Sequence, residues 1–252
     1  MTTPQRGDKL KIYGQTDKGI VRDNNQDSFR TVSKDGLYLC VVCDGMGGAA
    51  GGSTASSTAC DAFIENVFEK IEAKTDANDY SDILEAAVSY ANDTVFNLAK
   101  ANKELSGMGT TICAILTDGK RAWAVSVGDS RIYMFKDGEI YQISHDHSYV
   151  QLLIDAGAIT KEESKTHPQK NIITKAVGTS DSVESDSYLL DGMGDGFLIC
   201  SDGLTNYVSD DELKELFGEL SQSPEALACT LIDKANSAGG GDNITVLVIV
   251  SD

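Results

Sequence analysis

Apolar residues run along this chain in two rhythms. Unbroken blocks such as Leu37-Tyr38-Leu39-Cys40-Val41-Val42-Cys43, and those at residues 111–116, 122–127, 132–135, 196–200 and 244–250, predict strands with buried faces. Residues 10–16, 139–143 and 187–190 predict further, less apolar strands, and residues 17–28 read as a polar loop and edge. Helical spacing begins with Ala55, Ala59, Phe63, Val67 and Ile71, with Ser53 as the expected cap, and continues with Leu84, Ala87, Ala91, Val95 and Leu98 in a helix over 81–101. Residues 210–217 and 224–235 predict a second pair of helices. Between 145 and 175 the chain turns polar, with short helices expected near 149–156 and 161–165, and reads as an excursion from the core. Strands, hairpins and paired helices thus fall in separate blocks, which implies an α+β layered fold and not a βαβ alternation.

Two of the buried strands end alike, in Cys43-Asp44-Gly45-Met46-Gly47-Gly48 and in Ser201-Asp202-Gly203. Asp118-Gly119 and Asp137-Gly138 instead separate pairs of β-rich runs and predict hairpin turns, where Asp-Gly supplies positive φ angles. No partner run follows Asp44-Gly45 or Asp202-Gly203, so turn chemistry alone does not account for them. Asp27, Asp129 in Gly128-Asp129-Ser130-Arg131 and Asp242 in Gly239-Gly240-Gly241-Asp242-Asn243 sit at comparable strand ends and glycine-flanked corners. Aspartates scattered over rigid strand ends, without a His/Cys cluster, suit hard cations such as Mg²⁺ or Mn²⁺. The stretch Gly45-Met46-Gly47-Gly48-Ala49-Ala50 also matches a dinucleotide fingerprint, but Asp44 beside it would repel a pyrophosphate and βαβ repeats are missing. No Lys follows these glycines, which removes a nucleotide P-loop as well.

Composition narrows the partners. The 252 residues carry 21 basic and 39 acidic side chains, a formal net charge of -18, which argues against nucleic acid or an anionic membrane as partner. Only three prolines occur and no linker interrupts the pattern, so one domain over 1–252 is expected. The six cysteines lie mostly in apolar runs and read as reduced, buried thiols; Cys40 and Cys43 would point to opposite faces of one strand. Residues 1–6 lack the apolar core of a signal peptide and no run is long enough to span a membrane, so a cytoplasmic protein is expected.

Taken together, Thr16-Asp17-x-Gly19-x-Val21-Arg22-x-x-Asn25-Gln26-Asp27, Val42-Cys43-Asp44-Gly45-Met46-Gly47-Gly48, Gly128-Asp129-Ser130-Arg131, Ser201-Asp202-Gly203-Leu204 and Gly241-Asp242-Asn243-Ile244-Thr245 occur in an order that resembles the metal-dependent (type 2C) Ser/Thr protein phosphatases in their compact bacterial form. The resemblance runs from about Leu10 onward. It implies a four-layer α-β-β-α sandwich, two antiparallel sheets flanked by helix pairs, with a flap at about 148–170. It implies hydrolysis of phosphoserine and phosphothreonine by a water bridging two tightly held Mg²⁺ or Mn²⁺ ions, with a third, weaker ion. Asp44 would bridge both metals, the Gly45 carbonyl would join the second, Asp202 and Asp242 would complete the first, and Asp27 would orient water from the outer shell. Asp129 with Asp202 would serve the third ion, and Arg22 would clamp the phosphate. The partners implied are phosphoproteins, with a monomeric enzyme counteracting a Ser/Thr protein kinase.

Two positions depart from the family pattern. Many relatives carry an acid where this chain has Gln26, which suggests a weaker water shell at the second metal. Eukaryotic relatives often place a His where Met46 stands, so the leaving-group acid is unassigned; His145 and His147 are the nearby titratable candidates, though turn capping is their commoner use. Lys161, Lys165, Lys170 and Lys175 give the flap a positive bias within an acidic protein. The competing readings are a non-catalytic binding module on the same fold and a two-metal nuclease, the latter disfavoured by the charge balance.

Overall fold

The computed structural model describes residues 10–48, 50–73 and 80–251. Residues 1–6, read above for targeting, and Ala49 of the glycine-rich turn lie outside them. Two antiparallel sheets form the middle of the molecule. The first runs β1 (Leu10–Asp17), β11 (Ile244–Ser251), β10 (Gly196–Cys200), β7 (Arg131–Lys136), β8 (Glu139–Gln142). The second runs β2 (Asp27–Lys34), β3 (Leu37–Met46), β5 (Ile112–Thr117), β6 (Ala122–Val127), β9 (Asp186–Leu190), with the two-residue β4 (Gly109–Thr110) pairing the far end of β3.

Because successive strand residues face opposite ways, β3 feeds two cores at once. Cys40 and Val42 point between the sheets, where they meet Ile115, Ile132, Phe197 and Leu247. Leu39, Val41 and Cys43 point outward, against α1 (Gly51–Ala73) and α2 (Ser81–Ala101). On the opposite face, Leu198, Val246 and Val248 pack beneath α6 (Asp210–Leu220) and α7 (Pro224–Ser237), where Phe135 and Phe217 stack. The result is the expected four-layer α-β-β-α sandwich. All six cysteines are free, and Cys40 and Cys43 do fall in different cores. Among the described residues no helix is long and apolar enough to cross a membrane.

Three local readings need correction. Residues 27–34 form a strand, where the sequence pattern gave a polar loop and edge over 17–28 and no element over 29–34. Its side chains are mostly half-exposed, and only Phe29 and Val32 reach the cores, so its apolar signal is weak. The overlooked sign was Asp35-Gly36, whose positive φ angles of 52° and 80° close the β2–β3 hairpin as Asp137-Gly138 closes β7–β8. Strand β3 does not stop at Asp44: Gly45 and Met46 continue it, paired with Thr110 and Gly109. Ser53 does not cap α1, which begins at Gly51, and its hydroxyl donates to the Ala50 carbonyl within the first turn.

The short α3 (Tyr149–Asp155) and α4 (Lys161–Ser164) belong to the polar excursion, which returns to the body through bridges Ser148↔Ile173 and Thr110↔Val177. A last short helix, α5 (Asp202–Thr205), leaves the end of β10.

Candidate functional site

At one end of the sandwich the two sheets present their strand termini to each other. In the second sheet, Asp27 opens β2 directly opposite Asp44 on β3 in the antiparallel register. The Asp44 backbone is fixed from both sides: its N–H donates to Thr111 Oγ1 at 2.9 Å, and its carbonyl accepts from Thr110 Oγ1 at 2.8 Å and from the Thr111 N–H. Thr111 in turn shares a 2.7 Å hydroxyl contact with Ser130, beside Asp129, so the Asp44 strand and the Asp129 corner are tied together. At Gly45 a Cβ would lie 2.1 Å from the Gly52 carbonyl oxygen and 2.4 Å from that of Gln26, which explains why glycine follows Asp44.

The first sheet contributes from β10 and β11. Ser201 and Thr245 donate hydroxyl hydrogen bonds of 2.8 and 2.7 Å to Asp27 Oδ2, bridging from one sheet to the other. Asp202 stands at the start of α5, its Oδ2 accepting from Asn206 Nδ2 at 3.1 Å. Asp242 lies just before β11, and Asn243 beside it makes three long-range contacts. Its Oδ1 accepts from the Gln26 N–H, and its Nδ2 donates to the carbonyls of Lys18 and Asn24, all at 2.8–2.9 Å. That side chain holds the 18–26 loop against the Asp242 turn. Gly19 completes the fit, with φ +79° and a would-be Cβ only 2.1 Å from the Asp242 carbonyl oxygen.

Electrostatically the cluster is unbalanced. Burial, joined by the charges of Asp27, Asp202, Asp129 and Asp242, holds the Asp44 carboxyl well above the ordinary range. Burial dominates at Asp27 as well; it overrides the two hydroxyl donors and pushes this carboxyl from 3.8 to about 6. Asp129 and Asp202 are raised by burial and by carboxylate neighbours. Asp27 Oδ1 and Asp129 Oδ1 are buried without a hydrogen-bond partner. Hard-oxygen donors, two unpartnered carboxylate oxygens and unrelieved mutual repulsion suit divalent cations. Among the described residues no three His, Cys, Asp or Glu side chains already form a finished metal cage, so the donors match in kind while their arrangement is open.

Arg22 reaches the same place. Its Nη2 lies 2.8 Å from Asp242 Oδ2, with half of the side chain exposed. Gln26, the neutral substitute for an acid, donates to the Gly48 carbonyl at 3.2 Å and thereby braces the glycine-rich turn. Met46 is half-buried in the β3–β4 pair. Neither histidine candidate is free for the cluster. His145 pairs with Asp155 of α3 at 2.9 Å. His147 Nδ1 accepts from the Gly128 N–H, which leaves Nε2 to donate to Asp186 at 3.2 Å; burial lowers its pKa. It braces the Asp129 corner from behind.

Beside Asp129 and Asp202 opens a cleft of about 550 Å³ between the excursion and the start of α6. Lys161, Lys165 and Lys170 line it, and Lys161 binds Asp210 at 2.6 Å; Lys175 is not on its wall. Arg131, Asp146 and Asp210 on its wall belong to a chain of polar groups that sequence reasoning passed over. Arg131 grips Asp146 through Nε and Nη2 and donates through Nη1 to the buried Tyr133 OH, which donates to Asp210. Arg131 stood in a quoted motif, but Asp146 and Tyr133 carry no local signal. Ser201, Thr245 and Asn243 were likewise inside quoted motifs without a role.

Comparison with known proteins adds an independent line. The family described as Protein phosphatase 2C matches residues 20–231. The chain is 38% identical over 242 residues to the Mycobacterium tuberculosis serine/threonine protein phosphatase PstP, covering 95% of this chain and 44% of that protein, so it spans about half of that relative's length. It is 35% identical over 240 residues to the Listeria monocytogenes serine/threonine phosphatase stp, covering 94% of each. Among solved structures it superposes on the PstP catalytic domain in complex with two manganese ions with a TM-score of 0.81 at 35% identity, covering 96% of this chain and 98% of that one. The Staphylococcus aureus phosphatase Stp1 gives a TM-score of 0.88 at 34% identity, covering 100% and 99%.

Proposed function

This chain belongs to the protein phosphatase 2C family, and from that premise we propose that it is a metal-dependent enzyme that removes phosphate from phosphoserine and phosphothreonine in proteins. The observation that carries the reading is the facing of Asp27, Asp44, Asp129 and Asp202 across the two sheets, with each carboxyl raised by burial and by negative neighbours. In this reading Asp44, the Gly45 carbonyl, Asp202 and Asp242 would hold two cations between them. Asp129 with Asp202 would hold a third, weaker ion. The cations, Mg²⁺ or Mn²⁺, supply Lewis acidity for hydrolysis of the phosphoryl group.

The chain's own residues have distinct tasks. Asp27, anchored by Ser201 and Thr245 through Oδ2, keeps its Oδ1 without a partner and so available to orient water. Arg22 gives up Asp242 and captures two phosphoryl oxygens, a bidentate geometry natural to guanidinium. Water attacks phosphorus directly. The histidines nearest the site are engaged elsewhere and Cys43, Cys113 and Cys200 are buried in apolar cores, which supports a route without a covalent phosphoenzyme. Met46 has no proton to give the departing seryl or threonyl oxygen, so that proton comes from solvent held near Asp129. One catalytic domain spans residues 1–252, with the 148–170 flap at its edge. It acts as a cytoplasmic monomer on phosphoproteins, opposing a Ser/Thr kinase.

The test is hydrolysis of p-nitrophenyl phosphate and a phosphothreonine peptide with Mn²⁺, with Mg²⁺ and in chelator. Turnover should require the metal. Undiminished turnover in chelator would overturn the metal reading, and none with either metal would leave a binding module on the same fold.

A further inference from the structure

Ile20 and Val21 are the most exposed large apolar side chains among the described residues, at 68% and 67%, ahead of Leu189 at 61%. The pair leads directly into Arg22, and neither residue belongs to any of the three cores. Loop fraying does not explain them. The N–H groups of Ile20 and Val21 both donate to the Gly240 carbonyl, at 2.8 and 3.2 Å. Asn243 holds the carbonyls of Lys18 and Asn24 on either side of the pair. Gly19 and Gly240 take positive φ angles, and Ile20 Cγ1 lies where a side chain on residue 240 would stand, 2.9 Å from its Cβ position. The molecule therefore builds a braced backbone that holds two aliphatic side chains in water on the same turn that the Arg22 guanidinium contacts.

Isolated exposed aliphatic residues are ordinary on protein surfaces. An adjacent pair, braced at the backbone and contiguous with the group that captures phosphate, is better explained by a ligand that covers both. We propose that Ile20 and Val21 form an apolar docking step for the substrate, which takes the aliphatic side chain immediately flanking the phosphorylated Ser or Thr. The inference rests on the phosphatase reading and on Arg22 as the phosphate contact. The Ile20 and Val21 amides rest on Gly240 and the Arg22 guanidinium on Asp242, so the apolar pair and the phosphate contact share one turn, over which a phosphopeptide held by Arg22 extends. Burying an aliphatic side chain there favours such substrates over polar-flanked ones by about tenfold. This selectivity belongs to binding, because the contact is remote from phosphorus and the same in ground and transition states.

The experiment measures kcat and KM with Mn²⁺ for phosphothreonine peptides that differ only in carrying Leu or Ser beside the phosphoresidue. The Ile20→Ser/Val21→Ser variant is compared with wild type. Wild type should favour the Leu peptide by about tenfold, mostly in KM, and the variant should bring that ratio to within about twofold of one. Val21→Lys should shift preference toward a Glu-flanked peptide, a gain that misfolding cannot mimic. A wild-type ratio near one, or a variant that keeps the wild-type ratio, overturns the docking step while leaving the phosphatase reading intact. Failure of wild type to hydrolyse any of the peptides overturns the phosphatase reading, and the docking step with it.

Discussion

Replacing Asp27 by Asn should make the metal-free protein more stable while damaging its activity. The folded carboxyl is raised from 3.8 to about 6, so the folded state holds a proton that the unfolded chain has already lost in that interval. The corresponding stability is fully present below 3.8 and is lost as pH rises through about 6. The gap corresponds to about 3 kcal/mol at full ionisation. Asn keeps an oxygen for the Ser201 and Thr245 hydroxyls and puts an amide N–H where Oδ1 has no partner. In chelator at pH 8 the variant should therefore melt roughly 6–12 °C above wild type, with the difference closing toward pH 4. Asp44, Asp129 and Asp202 are shifted in the same direction, so both proteins should still lose stability with rising pH, the wild type more steeply. Thermal melts followed by circular dichroism across that range, with chelator and with Mn²⁺, provide the measurement. A variant less stable than wild type at pH 8 without metal would refute the argument, since the buried charge would then not be a cost.

The other expectations follow from single contacts. Asp202→Asn or Asp242→Asn should lower kcat by orders of magnitude while the protein still folds in chelator, Asp202→Asn melting no lower than wild type because burial raises its carboxyl as it does that of Asp27; near-native turnover would disprove their assignment as ligands. Arg22→Ala should raise KM and the phosphate inhibition constant by about 1.5–3 kcal/mol equivalent, and unaltered phosphate inhibition would rule out Arg22 as the clamp. Asp129→Ala should cost more kcat on phosphoserine peptide than on p-nitrophenyl phosphate, whose leaving group needs little protonation, while calorimetry still finds the tight metals; equal losses would give Asp129 another task. Asn243→Ala leaves the Gln26 N–H and two carbonyls without their partner, so KM for phosphopeptide should rise while the core melts nearly as before; an unchanged KM would show that the 18–26 loop needs no such brace.

Much of this was legible in the residues. Blocks such as 122–127 and 244–250 are apolar enough to be strands in any context, and both paired-helix layers showed their spacing. Asp44 and Asp202 stood out because a buried strand has little reason to end in Asp-Gly without a partner strand. What stayed hidden was relational. β2 owes its existence to its neighbour β3, and so carries a weak pattern of its own. Arg131 grips Asp146, fifteen residues on, and no spacing rule links them. The bond from Arg22 to Asp242 joins positions 220 apart, and only the fold reveals that the proposed phosphate clamp and a proposed metal ligand are already in contact.

That separation has a consequence for how the molecule comes into being. β11 is flanked in its sheet by β1 and β10, and the turn entering it carries Asp242 and Asn243. Asn243 fastens a loop that lies up to 225 positions earlier. Contacts of such span require most of the chain's disorder to be given up first, which places them late and makes them slow to form. A ribosome that has not yet delivered β11 carries a chain without Asp242, without the clasp on Arg22's loop and without Thr245 to hold Asp27. On the proposed phosphatase reading, catalytic competence would thus arrive near the end of folding, and a partly made chain would have no means of stripping phosphate from anything around it.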